Sequence, residues 1–567
     1  MKKLLIANRG EIALRIIRAA RDYGVATVAL YAEADVDALY LRAADEAWSL
    51  GAGRASETYL NIEKILEVAA RSGADAVHPG YGFLSERAEF AEAVLAAGLT
   101  WVGPGPDVIR ALGDKIEARR IAESVGAPLV KGSDGPLESA EAAVNFARQA
   151  GLPIAIKAAF GGGGRGMKVV HRLEDVAEAW ASATREAVEA FGRGECYGEQ
   201  FLNRPRHVEA QVLADSHGSV VVLGTRDCSL QRRNQKLVEE APAPFLSDAQ
   251  RDRIHEAARA ICAKAGYQGA GTVEFLLSES GVISFLEVNT RLQVEHPITE
   301  VTTGIDIVLE QLRIADGLPL SVTKTPAPIG HAFEFRINAE DPGRGFLPSP
   351  GRITRFAPPS GPGVRLDSGV ESGSSVPPIY DSLMAKLIIH GRNREEALAR
   401  AARALAEFEI EGLASVLPFH RAVISDPAFT AKDGRFSVYT NWIESEFPAL
   451  PPAPRAAPAE EGLVRGFIEI DGKRHSFGLP AHLLSGGAAR VTTAEASPAG
   501  QRVPMPCLLQ SWLVAEGEEV SEGQPIAVIE AMKAETRLVA ETSGRISQKA
   551  AAGESLTAGQ IIAEIRA

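Results

Sequence analysis

Glu274, within Gly271-Thr272-Val273-Glu274-Phe275, and the pair Glu287 and Asn289, within Phe285-Leu286-Glu287-Val288-Asn289-Thr290-Arg291, put three hard oxygen donors into apolar runs. Strand alternation places Glu287 and Asn289 on one face. Carboxylates in apolar strands are costly unless paired, and oxygen donors joined by substrate phosphates suit Mg2+ or Mn2+. A second constellation begins at the strand Ile154-Ala155-Ile156-Lys157 and runs through Gly161-Gly162-Gly163-Gly164-Arg165-Gly166-Met167. Without Cβ atoms, Gly162, Gly163, Gly164 and Gly166 let backbone N–H groups close around phosphate oxygens. The strand Met167-Lys168-Val169-Val170 that follows predicts a hairpin lid rather than a linker. No Gly-Lys-Ser/Thr follows the glycines, so this is not a Walker loop. The third constellation is Lys533 in Glu530-Ala531-Met532-Lys533-Ala534-Glu535, by itself a surface lysine but set inside a repeat.

These residues need scaffolds. Residues 515–529 (AEGEEVSEGQPIAVI) recur at a fixed offset as 551–565 (AAGESLTAGQIIAEI). Short β units ending in Gly-Gln, duplicated and facing each other, close into a small sandwich whose halves share one core. Lys533 falls between them, at an expected hairpin tip. At the other end, Lys3 to Ala7 reads as a strand, Glu11 to Tyr23 as a helix stopped by Gly24, and Val25 to Tyr31 as a strand, a βαβ opening. It lacks a GxGxxG fingerprint and reads as a scaffold layer. Residues 206–211 alternate as a strand, and residues 226–236 are polar and cationic. The stretch Leu450-Pro451-Pro452-Ala453-Pro454 to Glu460 is a Pro/Ala linker, with an extended reach of roughly 35 Å. Beyond it, strands flanking Asp471-Gly472 predict a short hairpin, with packing and docking both open as its role.

Composition narrows the class. A chain of 567 residues exceeds one core and predicts about three to five domains. There is no apolar run of bilayer length and no signal-peptide pattern, so a soluble, cytoplasmic protein without a membrane partner is expected. Four cysteines without CxxC spacing disfavour disulfides and zinc. With 60 basic against 73 acidic residues and no long basic run, nucleic acid is not an expected partner.

Taken in order, Ala7-Asn8-Arg9-Gly10-Glu11-Ile12-Ala13, Ala44-Asp45-Glu46-Ala47, His78-Pro79-Gly80-Tyr81-Gly82-Phe83-Leu84-Ser85-Glu86, Gly113-Asp114-Lys115, the glycine hairpin, Arg291-Leu292-Gln293-Val294-Glu295-His296-Pro297 and residues 334–341 (EFRINAED) resemble biotin carboxylases of the ATP-grasp kind, from residue 3 to about 445. The EAMKAE tip inside its repeat resembles the biotin carrier domain of the same enzymes. Together they resemble the alpha subunit of a biotin-dependent acyl-CoA carboxylase. Two departures from the family pattern are Arg87, usually Asn, and Ala534, usually Met.

The resemblance implies an α/β multidomain chain: a biotin carboxylase N-terminal α/β domain at 1–113, an ATP-grasp domain at 114–328, a biotin carboxylase C-terminal domain at 329–446, a linker and short hairpin at 447–500, and an all-β flattened-barrel biotinyl domain at 501–567. It implies ATP held by Lys115, Lys157, Gly162, Gly163, Gly164, Gly166, Met167, Glu199, Leu202, His207 and Gln231, and two Mg2+ or Mn2+ ions on Glu274, Glu287 and Asn289. Bicarbonate is expected on Lys236, Arg291, Gln293 and the Val294 backbone. Glu295 is the implied general base, Arg336 the implied stabiliser of the biotin enolate oxygen, and Lys533 the biotin attachment site. ATP converts a poor electrophile, bicarbonate, to carboxyphosphate. Carboxybiotin then goes to a separate carboxyltransferase beta subunit, with acetyl-CoA or propionyl-CoA as expected acceptor and 3-methylcrotonyl-CoA as an alternative, because no segment of domain size is left over. A biotin protein ligase is the other implied partner, and a homo-oligomer or a hetero-oligomer with the beta subunit the implied assembly. Two rival readings fare worse. A decayed, non-catalytic carrier or assembly subunit predicts losses among these residues, and none is lost; an ATP-grasp ligase for another acid leaves Lys533 unexplained.

Overall fold

A computed structural model describes residues 1–158, 167–191, 193–432, 434–453, 463–470, 473–480, 500–532, 534–557 and 559–566. The chain opens with β1 (Lys3–Ile6), α1 (Gly10–Tyr23) and β2 (Ala26–Ala32), followed by β3 (Glu46–Gly51), β4 (Ala76–His78) and β5 (Thr100–Trp101). They form a parallel sheet in the order β3-β2-β1-β4-β5. Leu4 and Ile6 pack into a core with Ile12, Ile16 and Ile17 of α1, whereas Leu5 and Ala7 enter the core on the opposite face with Ile65, Val77 and Phe90. An unbroken aliphatic strand is what burial on both faces requires. Gly24 ends α1 in the left-handed region (φ 83°), and its N–H donates to the Ala20 and Arg21 carbonyls, as a C-terminal glycine should.

A small antiparallel sheet follows, in the order β7 (Met167–Val170), β6 (Ile154–Ala158), β8 (Cys196–Gln200). Ile154 pairs with Val170 and Lys157 with Met167, so the strands flanking the glycine run do form a hairpin. Gly162, Gly163, Gly164 and Gly166 lie outside the described residues.

The central element is an eight-stranded antiparallel sheet. Its order is β13 (Ile283–Asn289), β12 (Gly269–Leu277), β9 (Arg206–Ala214), β10 (Val220–Arg232), β11 (Gln235–Ala241), β14 (His331–Asn338), then the strands Leu383–Gly391 and Val364–Ser368. One face of β9 and β12 is apolar: Val208, Ala210, Val212, Val273 and Phe275 pack on Ile254, Ala258 and Ile261 of the helix Asp248–Lys264. The other face carries His207, Glu209, Gln211, Thr272 and Glu274. This is the period-two division of a half-covered antiparallel sheet, with the polar face turned to function.

Beyond residue 446, Leu463–Ile470 pairs with Lys473–Pro480 up to Ile470–Lys473, the expected hairpin; Asp471 and Gly472 lie outside the described residues. The C-terminal segment forms two four-stranded sheets around a core that includes Leu509, Ile526, Ile529, Ile546 and Ile562. Its halves exchange strands. Glu519–Val520 of the first repeat pairs with Gly544–Gln548 of the second, and Ser555–Leu556 of the second pairs with Cys507–Trp512 of the first. Ala531 pairs with Ala534, leaving a two-residue tip at Met532 and Lys533; Met532 is left-handed (φ 50°), and Lys533 itself lies outside the described residues. All four cysteines are buried and free. Among the described residues no helix is long and apolar enough to cross a membrane.

Candidate active site

Register brings the polar residues together. Glu274 pairs with Glu209 on one side and Glu287 on the other, Thr272 pairs with Asn289, and Arg226 pairs with Glu209. On the far side of β10, a two-residue turn with Arg233 and Asn234 both at positive φ (48° and 64°) joins β10 to β11 and sets Lys236 opposite Gln231. Such a turn matches the twist of a tight hairpin. Glu239 pairs with Glu334 on β14, which places Glu239 diagonally across from Arg336.

The result is a buried ion cluster. Lys236 Nζ donates to Glu209 Oε2 (2.6 Å), Glu295 Oε1 (2.7 Å) and Glu274 Oε1 (3.0 Å). Arg336 Nη2 bridges Glu295 Oε2 (3.0 Å) and Glu239 Oε1 (2.5 Å). Arg226, fully buried, donates to Glu209 Oε1 (2.6 Å), Gln211 Oε1 (2.6 Å) and Thr299 Oγ1 (2.9 Å). Glu274 also accepts from Asn289 Nδ2 (2.9 Å) and Gln293 Nε2 (3.2 Å), and His207 Nε2 lies 2.9 Å from its other oxygen. Arg291 reaches Gln293 Oε1 (2.8 Å), Asn289 Oδ1 (3.2 Å) and Glu86 Oε2 (2.9 Å). Buried charges persist only with such pairing, and stripping one partner from a buried pair costs about 3–5 kcal/mol.

Charge states follow from these distances. Burial pushes Glu295 up, but Lys236 and Arg336 prevail and hold its carboxyl well below the ordinary range. Glu274 is likewise held low against burial by Lys236 and His207. Lys236 is raised well above an ordinary lysine despite its burial, by Cys228 and the three carboxylates. Glu239 behaves in the opposite way: burial lifts it to about 7 although Arg336 draws it down. Burial and the Glu274 charge raise Glu287. His207 is raised, the carboxylate of Glu274 outweighing desolvation.

The N-terminal motifs act on this cluster from behind. Asn8 Nδ2 donates to the Pro79 and Tyr81 carbonyls (2.8 and 2.7 Å), clamping the turn at Gly80, where φ is 63° and a Cβ would sit 2.8 Å from Asn8 Nδ2. Tyr81 donates to Glu11, and Glu11 pairs with the fully buried Lys386 (3.1 Å), whose Nζ donates to the Val294 carbonyl (3.0 Å). Glu295 then occupies the N-cap position of the helix His296–Thr303, where the positive end of the helix favours a carboxylate. In the Gly-Asp-Lys motif, Asp114 caps the helix Lys115–Ser124 by accepting from the Ile116 and Glu117 N–H groups, which leaves Lys115 exposed in the first turn. Arg87 stands at the N-cap of Ala88–Ala96 without a side-chain cap bond and pairs instead with Glu89 (3.2 Å).

Of the expected site residues, Lys236, Glu274, Glu295, Arg336, Asn289, Gln293, Arg291 and His207 therefore form one network, with Glu287 opposite Glu274. Lys157 and Glu199 form a separate pair on the small sheet, extended by Arg119 (2.8 Å). Gln231 and Leu202 are buried and Met167 is exposed. Sequence reading assigned no role to Glu209, Glu239, Arg226, Lys386 or Thr299. Glu209 had a usable signal, because His207, Glu209 and Gln211 alternate with Val208, Ala210 and Val212.

The donor set fits Mg2+. Glu274 and Glu287 face each other across two paired strands with Asn289 beside them, an oxygen-rich set of the kind this hard ion takes. In the present arrangement Asn289 turns its amide nitrogen to Glu274 and its oxygen to Arg291.

Residues 1–109, 114–323 and 334–445 match, in turn, the families of the biotin carboxylase N-terminal domain, the carbamoyl-phosphate synthase L chain ATP-binding domain and the biotin carboxylase C-terminal domain; residues 497–565 match the biotin-requiring enzyme family. The biotin-dependent acyl-coenzyme A carboxylase alpha3 subunit of Mycobacterium leprae is 55% identical over 100% of this chain and 98% of its own. Among solved structures, the Campylobacter jejuni biotin carboxylase in its β-γ-ATP complex superposes with a TM-score of 0.73 at 44% identity, covering 78% of this chain and 98% of that one. The biotin carboxylase domain dimer of Hydrogenobacter thermophilus 2-oxoglutarate carboxylase, with MgADP, ADP and bicarbonate, gives a TM-score of 0.72 at 44% identity over 78% and 97%. The matched families are accordingly those of a biotin-requiring domain and an ATP-binding domain. Identity of this degree along the whole length, with each segment matched to its own family, shows that the chain belongs to the biotin-dependent acyl-CoA carboxylase alpha subunits as their biotin carboxylase component.

Proposed function

We propose that the chain uses ATP and bicarbonate to carboxylate biotin held on its own Lys533, and passes the carboxyl group to a separate carboxyltransferase beta subunit acting on acetyl-CoA or propionyl-CoA. The observation that carries this reading is Lys236 clamped between Glu274 and Glu295, with Arg336 on the far side of Glu295. One cation there joins the proposed metal carboxylate to the proposed base. The segments 1–113, 114–328, 329–446, 447–500 and 501–567 are the proposed working units.

In the first step a bicarbonate oxygen bonds to the γ-phosphorus while the bond to the bridging oxygen breaks and ADP leaves. Lys236, Arg291, Gln293 and the Val294 backbone orient the anion, and Glu295 receives its proton. Glu295 is a weak base while Lys236 and Arg336 hold it. A bicarbonate that draws Lys236 to itself removes that restraint, so binding raises the basicity of Glu295 where it is needed. Glu274, Glu287 and Asn289 would hold Mg2+, which when bound neutralises phosphate charge. Lys115, Lys157 and the glycine hairpin would hold the phosphates; Glu199, Leu202, His207, Gln231 and Met167 would line the rest of the nucleotide site. Carboxyphosphate then splits at its C–O bond into CO2 and phosphate. Phosphate takes the ureido proton of biotin, and Arg336 stabilises the ureido oxygen as its charge grows.

Incorporation of radiolabelled bicarbonate into an avidin-retained, ATP-dependent adduct of the chain tests the carboxylation. Presenting the labelled chain to acetyl-CoA, propionyl-CoA and 3-methylcrotonyl-CoA tests the transfer: the chain alone should carboxylate none of them. Product from the homogeneous chain alone would refute the need for a beta subunit.

A further inference from the structure

Every buried apolar residue of the carrier segment, among the described residues, packs into the carrier's own core except one. Met532, 6% exposed, belongs to the C-terminal core of the carboxylase, with Met384, Phe419 and Tyr439. The exchange runs both ways, since Leu347 of the carboxylase packs against the carrier's core. At the tip, the Met532 N–H donates to the Pro378 carbonyl (2.9 Å). A two-residue turn leaves such an N–H without a ladder partner, and the Pro378 carbonyl satisfies it. Arg54 Nη2 adds a third point, 3.4 Å from the Gly553 carbonyl.

The surface on which the tip rests leads to the site. Pro378 lies on the loop entering the strand Leu383–Gly391, which is paired with β14 so that Lys386 sits opposite Arg336. Leu347 lies on the ribbon in which it pairs with Asp341. Asp341 in turn accepts from the Ala453 N–H (3.2 Å), at the start of the linker that tethers the carrier. One short ribbon thus meets both ends of the tether.

We propose that the Pro378 loop and the ribbon Glu340–Pro348 form the seat on which the carrier's tip docks for carboxylation, with Met532 as its anchor. This rests on the reading of Lys533 as the biotin site. The anchor is the residue immediately before the acceptor, so seating Met532 commits the direction in which the next side chain leaves the turn. The test uses the full chain with the pair Pro378→Cys and Met532→Cys, in native and Lys533→Arg backgrounds, since the native cysteines are buried. Mild oxidation should join residues 378 and 532 in both backgrounds, read by peptide mass spectrometry. No disulfide above the single-cysteine controls would overturn the seat, whatever the state of Lys533. In a second arm, Leu347→Asp should lower carboxylation of the chain's own biotin about tenfold, while ATP-dependent carboxylation of free biotin is unchanged. Equal losses with both substrates, or no loss with the attached one, would overturn it. An avidin blot beforehand reports separately on Lys533, so absence of label counts against that assignment and not against the seat.

Discussion

The proposed chemistry rests on two lysines whose surroundings could hardly differ more. Lys236 is held on an eight-stranded sheet by Glu209, Glu274 and Glu295, which come from three other parts of the chain. Lys533 is marked out by its neighbours in sequence: Met532 before it packs in the carboxylase's C-terminal core, and Ala534 after it pairs with Ala531. The contrast separates two ways of making an amine useful. A lysine that must stay charged and stationary needs a buried network to fix it, whereas one that is acylated and must travel needs only a rigid turn and a seat. Lys236 should therefore be sensitive to substitutions across the sheet, and Lys533 to changes beside it.

The largest effect expected is at the carrier. Lys533→Arg should abolish both the avidin signal and bicarbonate incorporation, while ATP-dependent carboxylation of free biotin continues; a blot that still reacts would break the comparison at once. Next comes the cluster. Lys236→Met leaves three carboxylates without their shared cation, so activity should drop by about 100-fold or more and unfolding stability by about 3 kcal/mol at neutral pH. Because the orphaned carboxylates can take protons, the stability deficit should shrink as pH falls, read from urea midpoints. A deficit independent of pH would mean that Lys236 contributes packing rather than charge.

Glu295→Gln and Arg336→Ala should split the reaction. The first should suppress bicarbonate-dependent ATP cleavage by about 100-fold, and the second should reduce biotin carboxylation more than ATP cleavage. Equal losses in both assays would merge the two roles. A smaller effect is expected at Glu239, which burial lifts from the usual 4.5 to about 7. Between those values the native chain holds a proton that the unfolded chain has released, so this group's contribution to stability declines as pH rises through the window. Glu239→Gln cannot release it, so its loss of stability from about pH 5 to about pH 8, read from urea unfolding, should be smaller than that of the native chain by up to about 3 kcal/mol. Smallest of all, Ala534→Met should leave the rate of biotinylation equal or faster, and slower modification would show that Ala534 suits the acceptor turn.

What could be read from the sequence divides along the same line. The carrier was legible because its signals are local: a repeat at fixed offset, a tip, and motif residues in one run. So were β1, α1 and Gly24, and the strand alternation that puts Glu287 and Asn289 on one face. The support of Lys236 was not. Arg226 meets Thr299 where the helix His296–Thr303 packs on the sheet, and Glu239 meets Arg336 through cross-strand pairing, both over long separations that periodicity cannot supply. Glu11 was visible only as part of a motif; its effect on Val294 runs through Lys386, far along the chain. The Arg233–Asn234 turn shows a third case. In sequence its residues are part of a polar, cationic run, whereas their left-handed backbone is what brings Lys236 opposite Gln231.

The strand exchange between the carrier's halves has a consequence for its assembly. Each half contributes two strands to each sheet, so a half present as a separate molecule would have to find a second copy, and its folding would depend on concentration. Carried on one chain, the partner is always present at a high effective concentration set by the short connection. Closure of this segment is thus unimolecular, and a freshly made chain can complete both sheets however dilute it is.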